Sequence, residues 1–443
     1  MKILHTSDWH LDHTLYNQRR GEEFSAFFNW LTEVICQQEV DVLIVSGDIF
    51  NNRSPSVSSQ RKYFDFLSRI RRDRISGKSR CEHVIIVSGN HDSSAFLMAS
   101  QEVLRTLNVR VVAAGDKAIS KKIIGSSEND CLQKKKISEK PETLFFLMNC
   151  EQTEAVIVAA VPFLLPRDVM LSQNAQGEEE KSLTLNRGIQ KYYEIMWEDA
   201  EILRQEHKDF PQEKIPVITT GHLFTQGGKT GLESQTGIIN GFRDLYVGNM
   251  EHFPCQYFPE GYDYVALGHL HVPQTVGGNE HIRYSGSPLA ISFGEAEQQK
   301  QVVLVDFDVK KKDSRFTFLP VPCFQLLAQV VGDMEKLESE INRLKNLEKV
   351  IWLEVIYVGT ERVFDLQQKI SGWVQNSLLE VLSIRNRMAE QNRTDIFEET
   401  EMLEHLDEES VFRRRLMMET FSEDEQAELW KMFREILSEC KNE

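Results

Sequence analysis

Five segments of the chain end an apolar run on residues that can hold a metal ion. "HTSDWH" puts Asp8 and His10 just past a first strand-like run, and "VSGDIF" puts Asp48 past a second. "VSGNHD" puts Asn90 and His91 past a third, "TTGHLF" puts His222 past another, and "ALGHLHV" adds His269 and His271. Four of the five share one grammar: apolar strand, glycine, ligand-type side chain. Taken singly, each is a polar turn or a histidine satisfied in a core. Five in this order, each at a strand end, point to one site. Carboxylates, imidazoles and an amide without a thiolate suit borderline-hard divalent ions such as Mn²⁺, Fe²⁺ or Zn²⁺ better than a structural zinc. A carboxylate has two oxygens and can bridge a pair of ions about 3.5 to 4 Å apart, the arrangement of many phosphoester-cleaving centres.

Elements must deliver these residues to one place. Lys2–His5, residues 40–45 ("VDVLIV") and His83–Val87 read as buried strands, and 154–161, 215–220, 262–267 and 301–307 continue the series. Phe24, Phe27, Phe28, Leu31, Val34 and Ile35 form a helical stripe, and Val57, Phe64, Leu67 and Ile70 form a second. Strands separated by helices predict an α/β layered domain, in which strand C-termini line one edge where sites form. Glycine lets the chain turn there without a Cβ clash. Alternate residues of a strand face opposite ways, so His269 and His271 are expected to leave the regular strand.

At 443 residues the chain is too long for one ordinary core. Residues 1–322 are read as the metal-bearing domain, with 116–142, rich in Lys and Ser, as a surface insertion. From 323 to 385 a strand–helix–strand–helix–strand pattern predicts a small α+β domain. Residues 386–405 are polar and charge-dense, as a linker would be. Residues 406–443 carry two short amphipathic helices, with Phe412 and Leu416 on one stripe and Trp430 and Phe433 on the other. A capping box at Ser422–Glu425 opens the second helix.

A formal net charge of −17 argues against a chain that coats nucleic acid by itself, though not against a local basic patch. Seven scattered cysteines with no CxxC pair exclude a cysteine zinc site and predict no disulfide framework. The N-terminus lacks an apolar leader and no stretch reaches the ~18 to 20 apolar residues of a membrane span, so the expected location is the cytoplasm.

The motif order D-x-H, G-D, G-N-H-D, G-H, G-H-x-H resembles that of the calcineurin-like metallophosphoesterase superfamily. Longer text, "MKILHTSDWHLD", "PFLLPRD", "FPEGYDYVALGHLHVPQ" and "RYSGSPLAISFGE", resembles the nuclease subunits of bacterial SbcCD DNA-repair complexes across nearly the whole chain. Two departures stand out: Asp12 where the family usually has Gly, and Asn51 where it often has Asp. The resemblance implies β-sheets flanked by helices, with 323–385 as a capping, DNA-binding domain. It implies two ions per chain, with Mn²⁺ expected. Asp8, His10, Asp48 and His271 would hold one, and Asp48, Asn90, His222 and His269 the other. His91 would act on the substrate. Asp92 has two open readings, orienting a histidine or capping the helix that begins near Ser94.

The implied activity is metal-dependent DNA cleavage in repair, recombination and replication. It comprises ATP-dependent 3'-to-5' exonuclease action on double strands, and endonuclease action on single strands and hairpins, with the SbcC ATPase as partner in a complex with two copies of each chain. A homodimer through the nuclease domain is implied; the helix bearing Phe64 and Leu67 reads equally as core or as a dimer face, and the resemblance favours the dimer face. The helices of 406–443 would bind SbcC through Phe412, Leu416, Trp430 and Phe433. Arg19, Arg20, Arg53, Arg61 and Lys62 are DNA-contact candidates. The competing reading is a small-molecule or phosphoprotein phosphoesterase on the same metal centre, since one such centre serves many substrates.

Overall fold

The computed structural model describes residues 1–72, 81–124, 141–170, 178–210, 214–225, 253–308, 313–360, 363–387, 429–430 and 432–433. Two six-stranded sheets form its centre. The first runs, edge to edge, Asp313–Pro320, Gln301–Asp308, Lys2–Thr6, Val42–Ser46, His83–Val87, Val109–Val112. The second runs Gln274–Val276, Asn279–Tyr284, Tyr264–Gly268, Val217–His222, Ala155–Ala159, Leu144–Met148. Lys2–Thr6 pairs in parallel with Val42–Ser46, and that strand with His83–Val87. Tyr264–Gly268 pairs in parallel with Val217–His222. These parallel strands are buried on both faces, which is why they read as unbroken apolar runs.

Three apolar layers hold the sandwich. Ile3, Val42, Ile44, Ile85 and Val87 from the first sheet meet Val156, Val158, Ile218, Tyr264 and Ala266 from the second. Outside the first sheet lie the helices Gly21–Gln38 and Val57–Arg72. Phe24, Phe27, Phe28, Leu31, Val34 and Ile35 are all buried there, as the stripe predicts. In the second helix Phe66, Leu67 and Ile70 are buried and Phe64 is half-buried against the same core, but Val57 at its first turn is 78% exposed. Leu67 is therefore core, which removes it from the candidate dimer face. Outside the second sheet packs the long helix Glu178–Glu206 through Leu185, Ile189, Tyr192, Tyr193 and Met196.

Not all of 116–142 behaves as a surface insertion. Lys117–Ile124 is a helix with Ile119 fully buried, and Asp116 accepts from the Ala118, Ile119 and Glu142 amides. Residues 125–140 lie outside the described residues. Among the described residues seven strands escaped the sequence reading: the two-residue pair Thr14–Leu15 and Gln18–Arg19, and Val109–Val112, Leu144–Met148, Gln274–Val276, Asn279–Tyr284 and Asp313–Pro320.

A three-stranded sheet follows, ordered Leu326–Gly332, Ile351–Tyr357, Leu379–Asn386, with the helices Met334–Lys345 and Leu366–Val374. The chain divides into two compact units. One comprises Met1–Val330, Glu338–Val355 and Asp365–Ile384, the other Val331–Leu337, Ile356–Phe364 and Arg385–Glu443. In the second unit the Val358 amide donates to the Gly332 carbonyl at 3.0 Å, and the rings of Trp430 and Phe433 lie 5.9 Å apart. Phe412 and Leu416 lie outside the described residues. Among the described residues no helix is long and apolar enough to cross a membrane.

The rings of Phe28 and Phe66 stack at 4.6 Å between the two helices, and Trp9 meets both edge-on. Phe28→Ala should cost about 3–5 kcal/mol of the stability of this domain. Urea unfolding followed by Trp fluorescence measures it; a loss below about 1 kcal/mol would show that the stack is not what joins the helices.

Candidate metal centre

The ligand-type residues converge at the C-terminal ends of strands from both sheets. Asp8 and His10 follow Lys2–Thr6, Asp48 follows Val42–Ser46, and Asn90 follows His83–Val87. His222 ends Val217–His222, and His269 and His271 follow Tyr264–Gly268, outside the regular strand. Two groups form. In one, Asp8, His10 and His271 offer ligand atoms within 4.8 Å of one another; in the other, Asp48, His222 and His269 do. Asp48 borders both: its Oδ2 is 3.6 Å from His10 Nε2 and 3.3 Å from His222 Nε2. Asn90 Oδ1 sits 3.0 Å from His222 Nε2 and 3.2 Å from His269 Nδ1, and His10 Nε2 is 3.2 Å from His271 Nε2.

The backbone is bent to this end. Asp8, His10, Asp48 and His269 have φ of 53°, 47°, 50° and 103°, left-handed values that non-glycine residues seldom adopt. Cross-strand bonds hold them. The Asp8 amide donates to the Gly47 carbonyl and the His10 amide to the Asp48 carbonyl, both at 3.0 Å, and the His269 amide donates to Asp8 Oδ1 at 2.9 Å. The glycines act more by absence of a side chain than by turning. A Cβ on Gly89 would lie 2.0 Å from Asp48 Oδ1, and one on Gly268 would lie 1.8 Å from the Ser46 carbonyl oxygen, where the two sheets come together.

Burial and mutual charge set the electrostatics. Burial alone would raise Asp48, but His222 and the other imidazoles pull it far below the usual carboxylate range. Burial would lower His222, yet the charge of Asp48 lifts it to about 9. Burial, reinforced by the charge on His222, holds His269 down to about 3. A concentrated anionic oxygen facing imidazole nitrogens, with no thiolate among them, is a donor set that fits divalent cations. Orientation comes partly from atoms that no side-chain pattern reveals. His222 Nδ1 donates to the Ser46 carbonyl at 2.9 Å, which turns Nε2 toward Asp48 Oδ2, 3.3 Å away. Ser7 Oγ donates to Asp8 Oδ2 and meets Ser285 Oγ at 2.8 Å.

His91 stands beside the groups without joining them. Its Nδ1 donates to the Asn51 carbonyl at 3.1 Å, its amide donates to Asp48 Oδ1 at 3.0 Å, and its ring lies 5.1 Å from that of His10. Asp92 follows neither of its two expected readings. Its carboxylate accepts from the Gly89, Ile49 and Phe50 amides at 2.9, 3.2 and 2.9 Å, so it braces the loop that carries Asp48. The helix Ser94–Ala99 is capped by Ser93 instead. Asp12, at φ 77°, accepts from the Ser56 amide and from the Ser56 and Ser59 hydroxyls, and so caps the helix Val57–Arg72 from the His10 loop.

The basic candidates divide. Arg19, Arg53 and Arg61 are exposed and Lys62 is half-buried. Arg20 is only 3% exposed, forks onto Glu23 at 2.6 and 2.9 Å, and donates to the Ala290 carbonyl at 2.6 Å. It is thus an internal strut, not a surface cation. Its Nη1 also lies 3.4 Å from His13 Nδ1, a histidine near the site that sequence reasoning passed over because no strand–glycine pattern precedes it.

Known proteins share these motifs. The calcineurin-like phosphoesterase family model matches residues 1–273. The chain belongs to the calcineurin-like phosphoesterase family. Within this phosphoesterase a second model, the type 5 capsule protein repressor C-terminal domain, matches residues 323–420. The SbcD component of the Escherichia coli K12 nuclease SbcCD is 33% identical over 98% of this chain and 97% of its own length. The protein of the same name in Rhodobacter capsulatus is 29% identical over 78% of this chain and 76% of its own. In Bacillus subtilis the figures are 26%, 69% and 66%. Family membership makes this chain a metal-dependent phosphodiester hydrolase, and the two groups are candidate places for its divalent ions.

Asp48→Ala should leave a folded phosphoesterase that loses at least one of two bound ions and its activity. Metal analysis of the purified variant checks this; two ions held at wild-type affinity would remove Asp48 from the bridging position.

Proposed function

We propose that this phosphoesterase is the nuclease subunit of an SbcCD-type complex, cutting DNA as an ATP-dependent double-strand exonuclease and as a single-strand and hairpin endonuclease. One observation carries the reading: identity to the SbcD component of nuclease SbcCD spans 98% of the chain, with the ligand groups intact and buried inside it. A small-molecule or phosphoprotein phosphoesterase is not favoured, because the likeness to SbcD proteins extends well beyond the metal-bearing domain.

Asp8, His10, Asp48 and His271 would hold one ion and Asp48, Asn90, His222 and His269 the other, with Mn²⁺ proposed at both. Such ions neutralise the non-bridging oxygens of a phosphodiester and lower the pKa of water toward neutrality. The chain supplies the rest. His91 is proposed to face the scissile phosphate and give a proton to the departing sugar oxygen. The support is its Nδ1–H···O=C bond to Asn51, which fixes the ring and turns Nε2 away from that carbonyl. Arg19, Arg53, Arg61 and Lys62 remain proposed DNA contacts. With a net charge of −17 the chain leaves much of the DNA affinity to its partner. That partner is proposed to be SbcC, in a complex with two copies of each chain in the cytoplasm. A homodimer would use outward residues of the helix Val57–Arg72, since Leu67 is buried.

His91→Ala should retain two ions and a folded protein yet cleave a labelled hairpin duplex in Mn²⁺ about 10² times more slowly. Loss of metal with turnover restored by extra Mn²⁺ would instead make His91 a ligand.

The tail generates a separate expectation. Short amphipathic helices cannot bury their stripes alone, so the two expected over 406–443 are proposed to dock on a partner. Truncation after Arg393 should leave a metal-loaded nuclease that no longer co-purifies with SbcC and has lost the ATP-dependence of duplex cleavage. Unchanged SbcC affinity would mean that the helices pack on their own chain.

A further inference from the structure

Glu295 stands directly behind His271. Its Oε1 lies 3.5 Å from His271 Nδ1, while His271 Nε2 faces His10 Nε2 at 3.2 Å inside the ligand group. The second carboxylate oxygen is occupied elsewhere. Oε2 accepts from Lys300 Nζ at 2.5 Å and from the Ile291 amide at 3.1 Å. Lys300 in turn donates to the His271 carbonyl and to Ser287 Oγ, both at 3.1 Å. Glu295 and Lys300 are 8% and 6% exposed. Two buried charges therefore neutralise each other while gripping both the ring and the backbone of one ligand-type histidine. A histidine that ligates through Nε2 must carry its proton on Nδ1, and a carboxylate there fixes the tautomer and the ring plane and makes the nitrogen a better donor to metal. For His222 the same place is taken by a carbonyl.

The turn that carries Glu295 has a second anchor. It spans Phe293–Glu295, and Phe293, 3% exposed, packs with Leu15 and Trp352. Trp352 belongs to the strand Ile351–Tyr357 of the three-stranded sheet. Tyr16 reinforces the junction: its ring is 5.7 Å from that of Phe293, and its hydroxyl donates to Glu354 Oε1 at 2.7 Å. Glu354 is buried on the same strand and accepts from Gln329 at 2.7 Å. A single residue, Gly294, thus separates a ring seated on that sheet from the carboxylate that holds His271.

We infer that Glu295 is a positioning residue for His271, and that the Phe293–Glu295 turn ties the affinity of this one ion group to the seating of Trp352. The inference rests on the metal-centre reading above. It adds a direction of coupling: a ligand or partner that shifts the strand Ile351–Tyr357 also shifts His271, leaving the Asp48, His222 and His269 group in place.

The test is titration of the metal-free full chain with Mn²⁺, followed by calorimetry and by electron paramagnetic resonance of the bound ion. Wild-type protein should bind two ions. Glu295→Ala should weaken one of the two about 10- to 100-fold and leave the other unchanged, while the uncompensated charge of buried Lys300 lowers the melting temperature of the metal-free protein. Glu295→Gln keeps an acceptor oxygen and should lose less. Trp352→Ala should weaken the same ion, and combining it with Glu295→Ala should add nothing further. Wild-type affinities in Glu295→Ala, or equal weakening of both ions, would overturn the positioning role. An additive double variant would overturn the link to Trp352. Should Glu295→Ala fail to fold, Glu295→Gln decides alone: no selective loss at one ion sinks the proposal. Wild-type protein that binds no Mn²⁺ would bring down the metal-centre reading and this inference together, and is distinguished by failing before any variant is made.

Discussion

The buried carboxylate of Asp48 is the constraint around which the rest is built. An ionised group removed from water costs several kcal/mol unless charges and hydrogen bonds answer it. Here the answers come from every side. His10 and His222 flank Oδ2, the His91 amide donates to Oδ1, and Asp92 braces the loop from behind through the Ile49 and Phe50 amides. Gly89 must lack a side chain because the carboxylate occupies that space. The left-handed turns at Asp8, His10 and Asp48 follow from the same need, since each aims a ligand-type side chain into a space that an ordinary strand end would miss.

The sandwich makes this arrangement stiff. The first sheet supplies Asp8, His10, Asp48 and Asn90, the second His222, His269 and His271, so the centre lies across the seam between sheets instead of in a loop cleft. Its geometry is set by the contact of Ser46 with Gly268 and by the apolar layer between the inner faces. Short turns pinned directly to packed strand ends hold their side chains to finer tolerance than long free loops do.

Much of this is legible in the sequence because parallel buried strands and the glycine that ends them leave a strong local mark. The apolar run His83–Val87 matches its strand to the residue, and Asp8, His10, Asp48, His222, His269 and His271 fall into two neighbouring groups with Asn90 beside them. What escapes has weaker or nonlocal signals. Asp313–Pro320 alternates Phe316 and Phe318 with polar residues, but the lysines just before it mask the period. The helix Glu178–Glu206 hides a sound inner stripe behind an acidic start. Arg20 reads as surface charge by composition, and only the fold shows it locked to Glu23. The roles of the Ser46 and Asn51 carbonyls are illegible in principle, because every residue has a carbonyl.

The spread of the centre along the chain has a consequence for how the protein is made. Asp8 and His271 share one group although 262 residues separate the first of its members from the last. A nascent chain emerges from its N-terminus at about 5–20 residues per second. The early ligands therefore leave the ribosome many seconds before the late ones, as part of a half-built sandwich lacking the strand Tyr264–Gly268. Until that strand inserts beside Val217–His222, the first group has no His271 and the second no His269. A hydrolytic centre assembled in this order is inert throughout most of translation, and it becomes competent only when the inner strands of both sheets have closed on each other.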